Sequence, residues 1–115
     1  MIRVVITRNP KGAISGFTVA GHAGFEQEGR DIICAAASAI AYTAIGYFNE
    51  VKYGGAPARF EVRDGYLSWK RPEIEDPAAN IAADAVLEAM EIGFRQIENS
   101  YGKQYLTVMG GAQKC

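Results

Sequence analysis

A chain of 115 residues suits one domain, and it can bury a core without disulfides or a structural metal. Half of it is hydrophobic, and twelve basic residues against thirteen acidic ones leave a formal charge of −1. That balance excludes a nucleic-acid binder relying on a bulk positive field, so no direct nucleic-acid contact is expected, although it leaves room for a small local patch.

The chain opens with strand periodicity, Ile2, Val4 and Ile6 alternating with Arg3, Val5 and Thr7. Asn9-Pro10-Lys11-Gly12 is a turn, and Ile14 to Gly21 alternates again, which predicts a β-hairpin. MIRVVITRNP brings in charge too early for a signal-peptide core. Asp31 is a predicted N-cap, because its carboxylate can accept the first free N–H groups of a helix. From Ile32 to about Phe48 the helix is apolar on every side, which predicts burial on every side or a dimer interface. Its apolar run, Ile32 to Ile45, is broken by Ser38 and Thr43 and reads as too short and too poor in large side chains to span a membrane.

Ala58 to Arg63 and Tyr66 to Arg71 flank Asp64-Gly65, a strong hairpin signal. Asp76-Pro77 predicts the start of a second helix running to about Tyr101, with Gly102 at its end. Its polar stripe, Asp84, Glu88, Glu91, Arg95 and Glu98, reads as a solvated face, with Ile81, Ala85, Ala89 and Ile92 turned elsewhere. Tyr105 to Met109 is a last strand. The ββαββαβ order predicts an α/β fold of the α+β sandwich kind in a single domain over 1–115. It has one mixed or antiparallel sheet and two long helices, the amphipathic one covering a side of the sheet and the apolar one packed more deeply.

The chemistry concentrates in GHAGFEQEGRDIICAAAS, Gly21 to Ser38, which holds the only histidine, His22, and one of two cysteines, Cys34. A cysteine in an apolar run is usually a small buried hydrophobe, and a lone histidine after a strand is usually a surface residue. Position shifts the balance. Counting from an Asp31 cap, Cys34 is the third helical residue, where free N–H groups and the helix dipole favour an anion such as a thiolate. A histidine within hydrogen-bond reach would complete a dyad, and the same N–H groups could hold an oxyanion.

Asp31 could orient His22 or only cap the helix, and capping is the stronger reading. Ser38, one turn after Cys34, could face substrate or bond back to the Cys34 carbonyl. The polar Gly24–Gly29 loop reads as an exposed lid or an ordinary surface loop. One His and one Cys fall short of a zinc site, so neither a metal nor an organic cofactor is expected. Cys34 and Cys115 stand far apart without a disulfide framework, which points to a soluble protein of a reducing cytoplasm with no membrane partner.

These residues — Gly21-His22-Ala23-Gly24, Gly29, Asp31-Ile32-Ile33-Cys34-Ala35-Ala36 and Ser38 — resemble the motif of the ribosomal-processing cysteine protease family (Prp). The resemblance extends over essentially the whole chain. It implies an endopeptidase with Cys34 as nucleophile and His22 as base. Asp31, Ser38, Gly21, Gly24 and Gly29 are implied as supporting or substrate-binding residues. It further implies a homodimer that removes the short N-terminal extension of bacterial large-subunit ribosomal protein L27. Two other readings compete. One is a non-enzymatic ribosome-assembly module that docks the same ribosomal protein. The other is a thiol transferase or redox protein, weakened by the lack of a resolving cysteine near Cys34.

Overall fold

The computed structural model describes residues 1–26, 31–51 and 58–110. Seven elements follow in the expected order: β1 (Ile2–Arg8), β2 (Ile14–Ala20), α1 (Ile32–Glu50), β3 (Arg59–Arg63), β4 (Tyr66–Lys70), α2 (Pro77–Tyr101) and β5 (Leu106–Gly110). The strands form one sheet ordered β3-β4-β2-β1-β5. Every pairing is antiparallel except β1 with β5, so the sheet is mixed.

Register puts Val4 opposite Val19, Ile6 opposite Phe17, Phe17 opposite Trp69 and Val4 opposite Val108. Successive side chains on a strand point to opposite faces, so these residues share one face. That face is buried at Ile2, Val4, Ile6, Phe17, Leu67 and Trp69. Each such side chain withdrawn from water contributes about 1.5–3 kcal/mol. The other face carries Arg3, Thr7, Glu61 and Lys70, all exposed. Both helices therefore cover the same side of the sheet, in two layers. Phe48 of α1 packs its ring tilted against Trp69 at 4.8 Å, and Phe94 of α2 reaches Phe17 at 6.4 Å.

Two caps set the helices as the sequence predicted. Asp31 accepts the Ile33 and Cys34 N–H groups, and Asp76 accepts that of Ala79 with Pro77 at the first position. At the end of α2, Gly102 takes φ +111° and donates its N–H to the Glu98 carbonyl at 2.9 Å.

Three expectations change. First, α1 is not buried all round. Ile33, Ala37, Ala41, Ala44, Ile45 and Phe48 are buried, but Ile32 is 54% and Tyr42 47% exposed. A two-layer fold has nothing to lay over the outer side of its helices. Second, α1 is 19 residues long and, by length and composition only, apolar enough to cross a membrane, so the argument from length fails. Its buried side instead helps to cover the sheet. Third, the polar stripe of α2 is not a solvated face. Glu91 and Glu98 are buried, while Ile81 is 70% and Ile92 57% exposed.

Partners distant in sequence explain that inversion. Glu91 pairs with Arg8 of β1 and with Arg95 at 2.8 Å. Glu98 accepts Lys103 Nζ at 3.1 Å and the Val108 N–H at 2.9 Å. The latter bond satisfies a backbone donor on β5, an edge strand, so Glu98 closes an edge that would otherwise invite another strand. Burial pushes the Glu98 carboxyl up, but the Val108 N–H and the Lys103 ammonium outweigh it and hold it below the ordinary range.

Candidate active site

Antiparallel pairing of β2 with β4 sets Ala20 opposite Tyr66. The β3–β4 turn at Asp64-Gly65 therefore lies beside the residues that leave β2. The Gly21 N–H donates to the Gly65 carbonyl at 2.8 Å, locking the two chain segments together. Gly21 has φ +96° and packs its α-carbon against the Met1 carbonyl, so this corner takes no side chain. His22 follows, exposed, with its imidazole over Gly65. A methyl group at residue 65 would stand 2.9 Å from Nε2.

The chain then turns inward. Ala23 is buried and donates its N–H to Cys34 Sγ at 3.3 Å. Gly24 takes φ +72°, a left-handed conformation, with open space where a side chain would stand. Phe25 is half-buried and sets its ring edge-on to Tyr105 at 5.2 Å and Tyr101 at 5.9 Å.

Asp31 holds this arrangement from both sides. Its Oδ1 accepts the Ile33 and Cys34 N–H groups at 3.0 Å each. Its Oδ2 accepts Phe25 N–H at 3.0 Å and Glu26 N–H at 3.4 Å. Burial pushes the carboxyl up, but these four donors more than offset it and hold it below the ordinary range. Both oxygens are thus engaged with backbone, which is the capping role the sequence favoured. One further expectation is corrected: the Ile33 and Cys34 N–H groups are not free for an oxyanion, because the cap occupies them. The loop expected over Gly24–Gly29 begins with Phe25 and Glu26 bonded to Asp31, and its remainder lies outside the described residues. Gly29 and Cys115 lie outside the described residues.

His22 and Cys34 line one cavity of about 470 Å³, together with Gly21, Gly24, Asp31 and Ser38. Cys34 is half-buried, so its sulfur is supported by protein yet reachable. The Ser38 hydroxyl is exposed and makes no hydrogen bond among the described residues. The bond back to the preceding turn is made by Thr43 instead, to the Ala39 carbonyl at 2.6 Å. Among the described residues no cluster of His, Cys, Asp and Glu could hold a metal.

Sequence reasoning missed the far wall, made by the tip of the second hairpin, Val62, Arg63, Asp64, Gly65 and Tyr66, with Tyr42 of α1 nearby. Asp64-Gly65 was legible as a turn. The pairing of β2 with β4, which carries that turn to His22, was not. Arg63 stands over the Tyr66 ring at 4.0 Å, a cation–π contact that stiffens this rim.

A family model described as "Cysteine protease Prp" matches residues 1–106. The ribosomal processing cysteine protease Prp of Bacillus subtilis strain 168 is 29% identical over 103 residues, covering 88% of this chain and 90% of its own. A crystal structure of the ribosomal processing protease Prp of S. aureus, in complex with a covalently linked product peptide, superposes with a TM-score of 0.80 at 25% identity. It covers 96% of this chain and 99% of that one. A second structure of that protease, with a substrate peptide, shares the fold at a TM-score of 0.73 and 24% identity, covering 94% and 97%. The thiol at a capped helix start, the histidine lining the same cavity and the match over nearly the full length lead to one conclusion: this chain belongs to the cysteine protease Prp family.

Proposed function

We propose that Cys34 is the nucleophile and His22 the general base of a peptidase that trims a ribosomal protein, L27, at its N-terminal extension. One observation carries the assignment. His22 and Cys34, twelve positions apart, line the same cavity, and Sγ already accepts a backbone N–H there. In the proposed reaction the Cys34 thiol passes its proton to His22, and Sγ attacks the scissile carbonyl carbon. The C–N bond breaks as the His22 imidazolium returns the proton to the leaving amine. Water, deprotonated by His22, then attacks the thioester. The peptide leaves as a carboxylate, and the Cys34 sulfur is freed for the next cycle. With the Ile33 and Cys34 N–H groups held by Asp31, the Ala23 N–H is the donor at the reacting centre, and it supplies electrostatic stabilisation there.

Ser38 and the hairpin tip form the walls against which a peptide lies, and Gly21 and Gly24 shape the turn that presents His22. The relatives named as ribosomal processing proteases support the substrate class. The protein acts as a cytoplasmic homodimer in this reading. The dimer is supported by the outer side of the helical layer, where Ile32, Ile81 and Ile92 are exposed and a groove lined by Ala39, Thr43, Val86 and Gly93 runs between α1 and α2. The test is mass-spectrometric. Wild-type protein cuts a peptide spanning the extension junction, whereas Cys34→Ala and His22→Ala leave its mass unchanged. Full cleavage by either variant would remove that residue from the mechanism.

A further inference from the structure

A net charge of −1 hides a segregation of charge that only the fold reveals. On the helical side, cations are matched by acids. Arg8 pairs with Glu88 and Glu91, Arg71 with Asp84, Arg95 with Glu91, and Lys103 with Glu98. The uncovered face of the sheet is different. Register places Arg3 of β1 in one row with Ala20, Tyr66 and Arg63, and Thr7 in another with Gly16, Lys70 and Arg59. The row between them holds Val5, Thr18, Ser68 and Glu61.

Four cations thus share this face with a single carboxylate, and Glu61 is taken by Arg63. Among the described residues, Arg3, Arg59 and Lys70 have no ion-pair partner, and all three are exposed. With strands about 4.8 Å apart, the band from β1 to β3 spans about 14 Å.

We propose that this open sheet face docks RNA through its sugar–phosphate backbone. Unpaired cations attract a polyanion by releasing its counterions. The hydroxyls of Thr7, Thr18 and Ser68 beside them suit phosphate and 2′-hydroxyl partners, and an open sheet face is a surface on which flexible single strands bind. A second copy of the chain is a poor occupant, since a symmetric contact would set like charges against like. The face lies apart from the cavity: Arg3, Arg59 and Lys70 do not line it, whereas Arg63 does and is left intact in the test.

The experiment is fluorescence anisotropy with a labelled single-stranded RNA of mixed sequence, about twenty nucleotides, over a series of KCl concentrations. Wild-type protein binds, and log K falls with log salt at a slope of about −2 to −3, as three to four contacts at about −0.7 each require. The Arg3→Gln/Arg59→Gln/Lys70→Gln variant binds at least tenfold more weakly with a shallower slope. It keeps its thermal midpoint and cuts the junction peptide at the wild-type rate. Each single Gln variant loses part of the affinity, which keeps the test decisive if the triple variant folds poorly. Absence of RNA binding at low salt, or an unchanged slope in the variants, would overturn the proposal. So would equal binding of poly-glutamate, or binding of phosphatidylserine vesicles without RNA. Failure of peptide cleavage with RNA binding intact would count against the dyad and leave this surface standing.

Discussion

Gly65 separates two jobs that one residue performs. Its φ of +68° is a left-handed conformation that side chains other than Asn and Asp resist, and a Cβ added there would stand 2.9 Å from His22 Nε2. Gly65→Asn tolerates the backbone but still crowds the imidazole. It keeps its thermal midpoint within a few degrees and loses on the order of 100-fold in kcat/KM, the scale on which small misplacements of a catalytic group act. Gly65→Ala loses both activity and stability. If Gly65→Asn cleaves normally, the turn does not place His22. Asp31 also has two tasks, capping α1 and tying Phe25 and Glu26 to it. Asp31→Ala destabilises by at least the ~1 kcal/mol of a lost cap, read as a drop in urea midpoint. The cap was legible in the sequence because its chemistry lies within three residues. The Gly65–His22 contact was not, because it joins residues more than forty apart.

At the scale of elements, α2 is where local reading failed most clearly. Acids at three- and four-residue spacing normally mark a solvated stripe, yet Glu91 and Glu98 are buried because β1 and β5 bring them partners. Arg8→Ala leaves Glu91 with Arg95 alone, and we expect a loss of about 1.5–3 kcal/mol by chemical denaturation, the range for a hydrogen bond to a charged group. The pH dependence follows from the two depressed carboxyls. Asp31 and Glu98 sit lower in the folded state than in the unfolded chain, where they titrate near 4. The stability they contribute is present above the unfolded values and is lost as pH falls through the depressed folded ones. The thermal midpoint therefore declines below about pH 4.5, and the decline is shallower in Glu98→Gln. An equally steep acid limb in that variant would show that Glu98 is not linked to folding. By contrast, both caps, the Asp-Gly turn and the extents of the helices were readable, since each depends on near neighbours in the chain.

At the scale of the whole molecule, the order β3-β4-β2-β1-β5 assembles the cavity lining and was the least legible feature. Alternation announces strands but not their neighbours. The placement of β4 beside β2 brings the second hairpin to the cavity, and the parallel return of β5 to β1 gathers β5, α2 and the Phe25 corner at one end. The Gly21–Ser38 motif carried the resemblance to the family without the geometry, and the fold added the hairpin tip to the lining of the cavity that holds His22 and Cys34. The exposed outer side of the helical layer bears on assembly. If the protein is the proposed homodimer, wild type sediments as a dimer and Ile81→Glu and Ile92→Glu, each on the outer side of α2, sediment as monomers; a monomeric wild type, or variants that stay dimeric, would remove that side as the interface. The central claim is that Cys34 forms the covalent intermediate and His22 drives its formation and hydrolysis. Intact-protein mass spectrometry of rapidly quenched reactions with the junction peptide tests this directly. Wild-type protein should gain the mass of the N-terminal product fragment less one water, on a peptide that maps to Cys34, and then lose it as turnover proceeds. Cys34→Ser should show no such thioester, and His22→Ala should form it at least 100-fold more slowly. Cleavage at the wild-type rate without any adduct on Cys34, or an adduct formed equally fast without His22, would contradict the account.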